Sequence, residues 1–166
     1  MLQPVVRRTW APRGQTPVQY SWDRHDRITA VAAISVAPVR RRMGLYFRLL
    51  DHNLKTPDAV AFVRDLRKEL QAPILLVWDL LNVHRAAAKE LLRRAPRWLA
   101  IAWLPPYAPD VNPVEHIWNQ SKYTDLANYV PDDIAALGRR VRGSLRAQRS
   151  SPDLLRSFFR AAKLPL

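Results

Sequence analysis

Apolar residues fall into two kinds of pattern along this chain, and the pattern changes at its prolines. Between Thr56 and Pro73, Ala59, Phe62, Val63, Leu66 and Leu70 recur at spacings of three and four, which predicts a helix with one buried stripe. Thr56-Pro57-Asp58 supplies its start: a capping hydroxyl, proline in the first turn and an acid nearby. Arg27 to Val36 and Gly44 to Leu50 are β-branched or aromatic without that period. They predict two strands of an antiparallel hairpin, turned through Arg40-Arg41-Arg42 and closed by Asp51-His52-Asn53. A further short strand suits Val18-Gln19-Tyr20.

Ile74-Leu75-Leu76-Val77-Trp78 is a continuous apolar run between Pro73 and Asp79. Too short for a helix, it predicts a strand buried on both faces. A helix follows from Arg85 to Arg94, then a strand from Trp98 to Trp103. After Leu104-Pro105-Pro106-Tyr107-Ala108-Pro109, Asn112 and Pro113 make the N-cap and first position of a helix running to about Leu126. The next helix starts near Pro131-Asp132-Asp133 and buries Ile134, Leu137, Val141 and Leu145. A last one starts at Pro152 and carries Leu154, Leu155, Phe158, Phe159 and Ala162. This order predicts one α/β domain over 1–166 with a mixed sheet.

Charge changes the picture. Lys and Arg number 27 against 14 for Asp and Glu, a formal net charge of +13. Such a field favours a polyanion, most simply nucleic acid. The chain has no cysteine, which excludes disulfides and thiolate metal sites. No apolar run has membrane-spanning length and Met1-Leu2-Gln3-Pro4 is not a signal peptide, so a cytoplasmic location is expected.

Two acids stand where chemistry is placed in α/β folds. Asp79 ends an apolar strand, where open sheets bind their ligands. Glu115 lies in the first turn of the helix reached from the next strand. One helical crossover brings the ends of two such strands together. A carboxylate pair in a basic, cysteine-free chain suits hard divalent cations, Mg²⁺ or Mn²⁺. Each acid also has a purely structural explanation. Glu115 sits three residues after Asn112, as in a capping box, and Asp79 suits an Asx turn.

The same choice recurs around them. His84 suits either orientation of a phosphate or water, or a helix cap. His116 reads as a surface residue, and Ile117 and Trp118 as anchors. Lys122, seven residues past Glu115, lies on the same helical face and suits a DNA phosphate or plain solvent. Asp132 and Asp133 read as first-turn acids. Arg85, and Arg139, Arg140, Arg142 and Arg146 opposite the apolar stripe, form a phosphate-binding face or a solvated one. Arg7, Arg8, Trp10 and Arg13 suit contact with a phosphate backbone and stacking on a base, or a loop packing its Trp on the domain.

The run Leu104-Pro-Pro-Tyr-Ala-Pro-Asp-Val-Asn-Pro-Val-Glu-His-Ile-Trp118 resembles the hallmark of DDE transposases of the mariner-like and related bacterial insertion-sequence group. Ile74-Leu-Leu-Val-Trp-Asp79-Leu-Leu-Asn-Val-His84-Arg85 resembles that group's second catalytic strand, and Arg8-Thr-Trp-Ala-Pro-Arg-Gly-Gln-Thr-Pro17 the segment after its first. The resemblance covers nearly the whole chain. It implies a ribonuclease H-like fold in which three acids hold two divalent metals for cutting and joining DNA. Asp79 then becomes the second acid and Glu115 the third. DNA (transposon ends and target) becomes the partner, with a homodimer in the transposition complex and a nucleoid-associated place in a bacterium.

The sequence departs from that group at one point. The group's first acid lies on a strand before the Arg-Thr-Trp segment, and here no Asp precedes Arg7. Asp23 and Asp26 fall in a Trp-Asp-Arg-His-Asp-Arg turn, poorly placed for the role. The chain therefore reads as the C-terminal portion of a transposase, without a helix-turn-helix domain or the first catalytic strand. Loss of that central strand should leave unpaired backbone between its neighbours. Alone it should bind metal weakly and be nearly inactive. The alternatives are a non-catalytic basic DNA-binding remnant and a ribonuclease H-like nuclease that is not a transposase.

Overall fold

The computed structural model describes residues 5–18, 28–39, 42–93, 96–106 and 108–164. Asp23 and Asp26, the turn at Arg40 and Arg41, Tyr107 and most of the strand suggested at 18–20 lie outside these residues.

β1 (Thr29–Val36) and β2 (Met43–Leu50) form the expected antiparallel hairpin, with Thr29 opposite Leu50 and Val36 opposite Met43. Alternation gives it two apolar faces. Ala30, Ala32, Ile34, Leu45, Phe47 and Leu49 point into the main core. Val31, Ala33 and Tyr46 point the other way, toward Phe62 and Leu66 of α1 (Thr56–Leu70). α1 keeps the expected stripe but starts one residue differently. Lys55 is its N-cap, and the Asp58 carboxylate accepts the Lys55 amide at 3.0 Å, a role the sequence reading gave to Thr56. Gln71, in the left-handed conformation, ends it two residues before Pro73.

β3 (Ile74–Trp78), α2 (Asn82–Leu92) and β4 (Leu99–Trp103) make a crossover unit in which β3 and β4 pair in parallel, Trp78 beside Trp103. Ile74, Leu76, Trp78, Leu99 and Ile101 pack on α1 and α2. Burial of β3 on both faces is not observed. Leu75 and Val77 are 68% and 52% exposed, because helices cover only one side of this pair. The α/β class holds, with its antiparallel and parallel pairings in separate two-stranded sheets. Among the described residues, each of the four strands therefore keeps one edge without a strand partner.

A 3-10 turn (Pro109–Val111) leads to α3 (Pro113–Gln120), then α4 (Ile134–Arg149) and α5 (Pro152–Ala161). Leu137, Val141 and Leu145 of α4 and Leu155 of α5 are fully buried around Ile117 and Leu45. Ile134 is not part of this stripe: it is 47% exposed, since α4 begins there, with Asp133 as N-cap accepting the Ala136 amide. Among the described residues no helix is long and apolar enough to cross a membrane.

Candidate active site

Asp79 follows β3 directly, and its neighbours fix its carboxylate. Oδ1 accepts the Leu81 amide at 3.1 Å, the turn expected after a strand. The same oxygen accepts from Nδ1 of His84 at 2.5 Å. A carboxylate only accepts, so Nδ1 carries the proton. The His84 ring lies flat on Trp78, centroids 4.4 Å apart and planes 13° apart, and its side chain is only 9% exposed. His84 therefore caps no helix; Leu81 is the N-cap of α2. A strand-end acid five residues before a histidine in the next helix was the signal for this pairing.

Burial acts to raise the Asp79 pKa. The bond from His84, the Leu81 amide and the positive field of His84 together outweigh it, so the carboxyl titrates below its ordinary value of 3.8. The folded chain then binds fewer protons than the unfolded one. This stabilisation is present above pH 3.8 and is lost as pH falls through the lowered value. His84→Ala is expected to raise the Asp79 pKa, read from its carboxyl carbon by NMR. An unchanged value would mean that His84 does not hold the charge.

β4 runs beside β3, and the Leu104 amide donates to the Trp78 carbonyl at 2.8 Å, so the two strands end side by side. From there the proline-rich loop leads to α3. Asn112 is its N-cap, with Oδ1 accepting the Val114 amide at 3.2 Å, and Pro113 follows. The capping box is not made. The Asn112 amide donates to the Pro109 carbonyl at 2.9 Å, so the 3-10 turn has taken the donor that Glu115 would need. Glu115 is half-buried and, among the described residues, makes no side-chain hydrogen bond or ion pair.

Oδ2 of Asp79 and the Glu115 carboxylate are free of partners among the described residues, and both are oxygen donors of the kind a hard divalent cation takes. The two do not by themselves make a metal site: among the described residues no group of three or more side chains that could hold a metal occurs.

α3 does not continue to Leu126 as an α-helix. Ser121–Asp125 widen into a π turn, closed by the Leu126 amide on the Ser121 carbonyl. Lys122 is the second residue of this turn. Behind it lies a buried polar network missed in the sequence reading. Gln148 Nε2 donates to Ser121 Oγ at 2.9 Å, the Ser121 and Ser144 hydroxyls share a bond of 2.8 Å, and Ser144 donates to Asp125 at 2.6 Å. Ser144 and Gln148, one turn apart on the buried side of α4, were its sequence signal. His116 is not a surface residue: its ring lies 6.1 Å from Phe158, and its Nε2 is buried without a partner among the described residues. Ile117 and Trp118 anchor α3 as expected.

Of the basic residues, Arg13, Arg85, Arg139, Arg140 and Arg142 are exposed. Arg140 also has an internal role. Its Nε donates to the Asp125 carbonyl and its guanidinium lies over Tyr129.

A family model for the DDE superfamily endonuclease domain matches residues 1–137, a span that contains both acids and ends inside α4. No curated protein and no solved structure matched the chain.

Proposed function

The chain belongs to the DDE superfamily endonuclease family, and from that premise we propose that it is the catalytic part of a transposase of the mariner-like and bacterial insertion-sequence group. Asp79 and Glu115 are its second and third acids, and 1–166 is one catalytic domain. The observation that carries the reading is the pair of partner-free carboxylate faces, one at the end of β3 and one in the first turn of α3. They would hold Mg²⁺ or Mn²⁺, two ions in the complete site. When bound, these ions supply charge neutralisation at the attacking and leaving oxygens of phosphoryl transfer. His84 keeps Asp79 ionised and oriented, as carboxylate–histidine pairs do at metal sites. Arg13, Arg85, Lys122, Arg139, Arg140 and Arg142 contact DNA phosphates, while His84, buried against Trp78, acts on DNA only through Asp79. The proposal places the protein in the bacterial cytoplasm on the nucleoid, acting as a homodimer on transposon ends and target.

Among the described residues no third acid joins the pair. The first acid would then come from a strand outside them. Without it the site binds metal weakly and cuts little. The non-catalytic reading, a basic remnant that only binds DNA, rests on the lack of a third acid beside the pair among the described residues.

The test measures DNA binding and plasmid nicking by the purified chain with Mn²⁺. Binding should weaken steeply with salt, and Arg139→Ala and Arg142→Ala should each lower the log–log slope by about 1. Nicking should be weak alone and gained when the first-acid strand is joined to the chain, then lost in Asp79→Asn. Strong nicking by 1–166 alone that Asp79→Asn abolishes would overturn the need for a third acid. Absence of salt-sensitive binding would overturn the DNA reading itself.

A further inference from the structure

Residues 5–18 form an arm that is anchored at one end and exposed beyond it. The anchor is specific. Val5 bridges to Ala127, the Asn128 amide donates to the Val5 carbonyl, and the Arg7 amide donates to Asn128 Oδ1 at 2.7 Å. The Arg7 guanidinium reaches the Tyr123 carbonyl at 2.5 Å. The arm is thus fixed to the π turn that continues the Glu115 helix.

Three residues on stands Trp10, with 100% of its surface in solvent. The other described tryptophans differ: Trp78 is stacked, Trp98 and Trp118 pack against cores, and Trp103 is 41% exposed. A turn follows, closed by the Gln15 amide on the Pro12 carbonyl. Gly14 takes φ +83°, a conformation that disfavours a side chain. The turn sets Arg13, also exposed, three residues beyond Trp10. Residues 5–18 contain three arginines and no acid.

We infer that this arm is a stacking platform for an unpaired DNA base, with Trp10 against the base and Arg8 and Arg13 on the flanking phosphates. An indole free on all sides gains most from a flat aromatic partner, and every base offers one. The surrounding charge selects a polyanion over an apolar protein pocket. Inside an intact duplex the base faces are already stacked, and opening one costs a few kcal/mol. A base at a single-stranded overhang or a mismatch has no such cost. The inference rests on the DNA reading above and gives it a substrate feature: DNA unpaired near the site of action.

The test compares binding of the full chain to a short paired duplex and to the same duplex carrying a single-stranded overhang with 2-aminopurine. The overhang should bind roughly 5- to 150-fold tighter and its fluorescence should fall on binding. Trp10→Ala should remove the preference and the quenching while leaving duplex affinity and melting temperature unchanged; Trp10→Phe should keep most of both. Equal affinity for both probes, with salt-sensitive duplex binding intact, overturns this inference alone. So does a Trp10→Ala variant that keeps the preference or weakens both probes equally. A chain that binds neither probe overturns the DNA reading as well.

Discussion

Replacing Glu115 by Gln is expected to weaken Mn²⁺ binding by at least about 10- to 100-fold while leaving the fold nearly untouched. The floor comes from metal sites where loss of a mere supporting partner costs that much; loss of a ligand should cost no less. Stability should change by less than about 1 kcal/mol. The start of α3 is already satisfied without Glu115: Asn112 Oδ1 takes the Val114 amide, and the Asn112 amide is spent on Pro109. What remains is the attraction of an acid to a helix N-terminus, worth about 0.3–1 kcal/mol. Calorimetric titration with Mn²⁺ and a thermal melt of the same variant decide the matter. Unchanged metal affinity with a melting loss well beyond that range would make Glu115 a structural residue and remove the third acid from the proposed site.

That result would separate two readings that the sequence could not. Asn112-Pro113-Val114-Glu115 satisfies the spacing of a capping box as well as that of a catalytic acid. The decision lies three residues upstream, where Pro109 opens a 3-10 turn whose carbonyl takes the Asn112 amide. Strands β3 and β4 and helix α5 were legible because a run of apolar residues between prolines, or a three–four repeat after Ser151-Pro152, is a local signal. The number of covered faces is not local. Ile74 to Trp78 reads as doubly buried, yet Leu75 and Val77 face solvent, because no described element packs on that side. The π turn escaped for the same reason. Its residues Ser121 and Asp125 answer to Ser144, and Ser121 to Gln148, partners 19 to 27 positions away that no window around α3 contains. Asp79 is legible from its place at a strand end, whereas its pairing with His84 depends on the turn that brings the start of α2 over Trp78. Trp10 beside its arginines suits either base stacking or packing on the domain. Only the exposure of the whole ring separates the first from the second.

Ile117→Ala is expected to cost about 2–5 kcal/mol and to weaken Mn²⁺ binding together with stability. Ile117 is fully buried two residues after Glu115, in the cluster formed with Leu45, Leu137, Val141, Leu145 and Leu155. Removing three carbons leaves a cavity that this close-packed core closes only in part. A loss of this size is a large share of the roughly 5–15 kcal/mol that holds a domain folded, and lowers the melting point by about 2–4 °C per kcal/mol. It reaches the site through α3. The Ile117 carbonyl receives Gln148 Nε2 at 3.5 Å, the longest bond of the network behind the π turn, so the helix is held from the core side by Ile117 and more loosely by Gln148. With Ile117 truncated, α3 can settle inward and carry Glu115 out of its place in the proposed site, while Asp79 stays fixed by His84 and Leu81. Ile117→Val should cost only about 0.5–1.5 kcal/mol and move metal affinity correspondingly less. A graded loss of both quantities across Val and Ala would tie the core to the site. Stability falling with metal affinity constant would mean that the loop from Pro105 to Asn112, rather than the core, sets the position of Glu115.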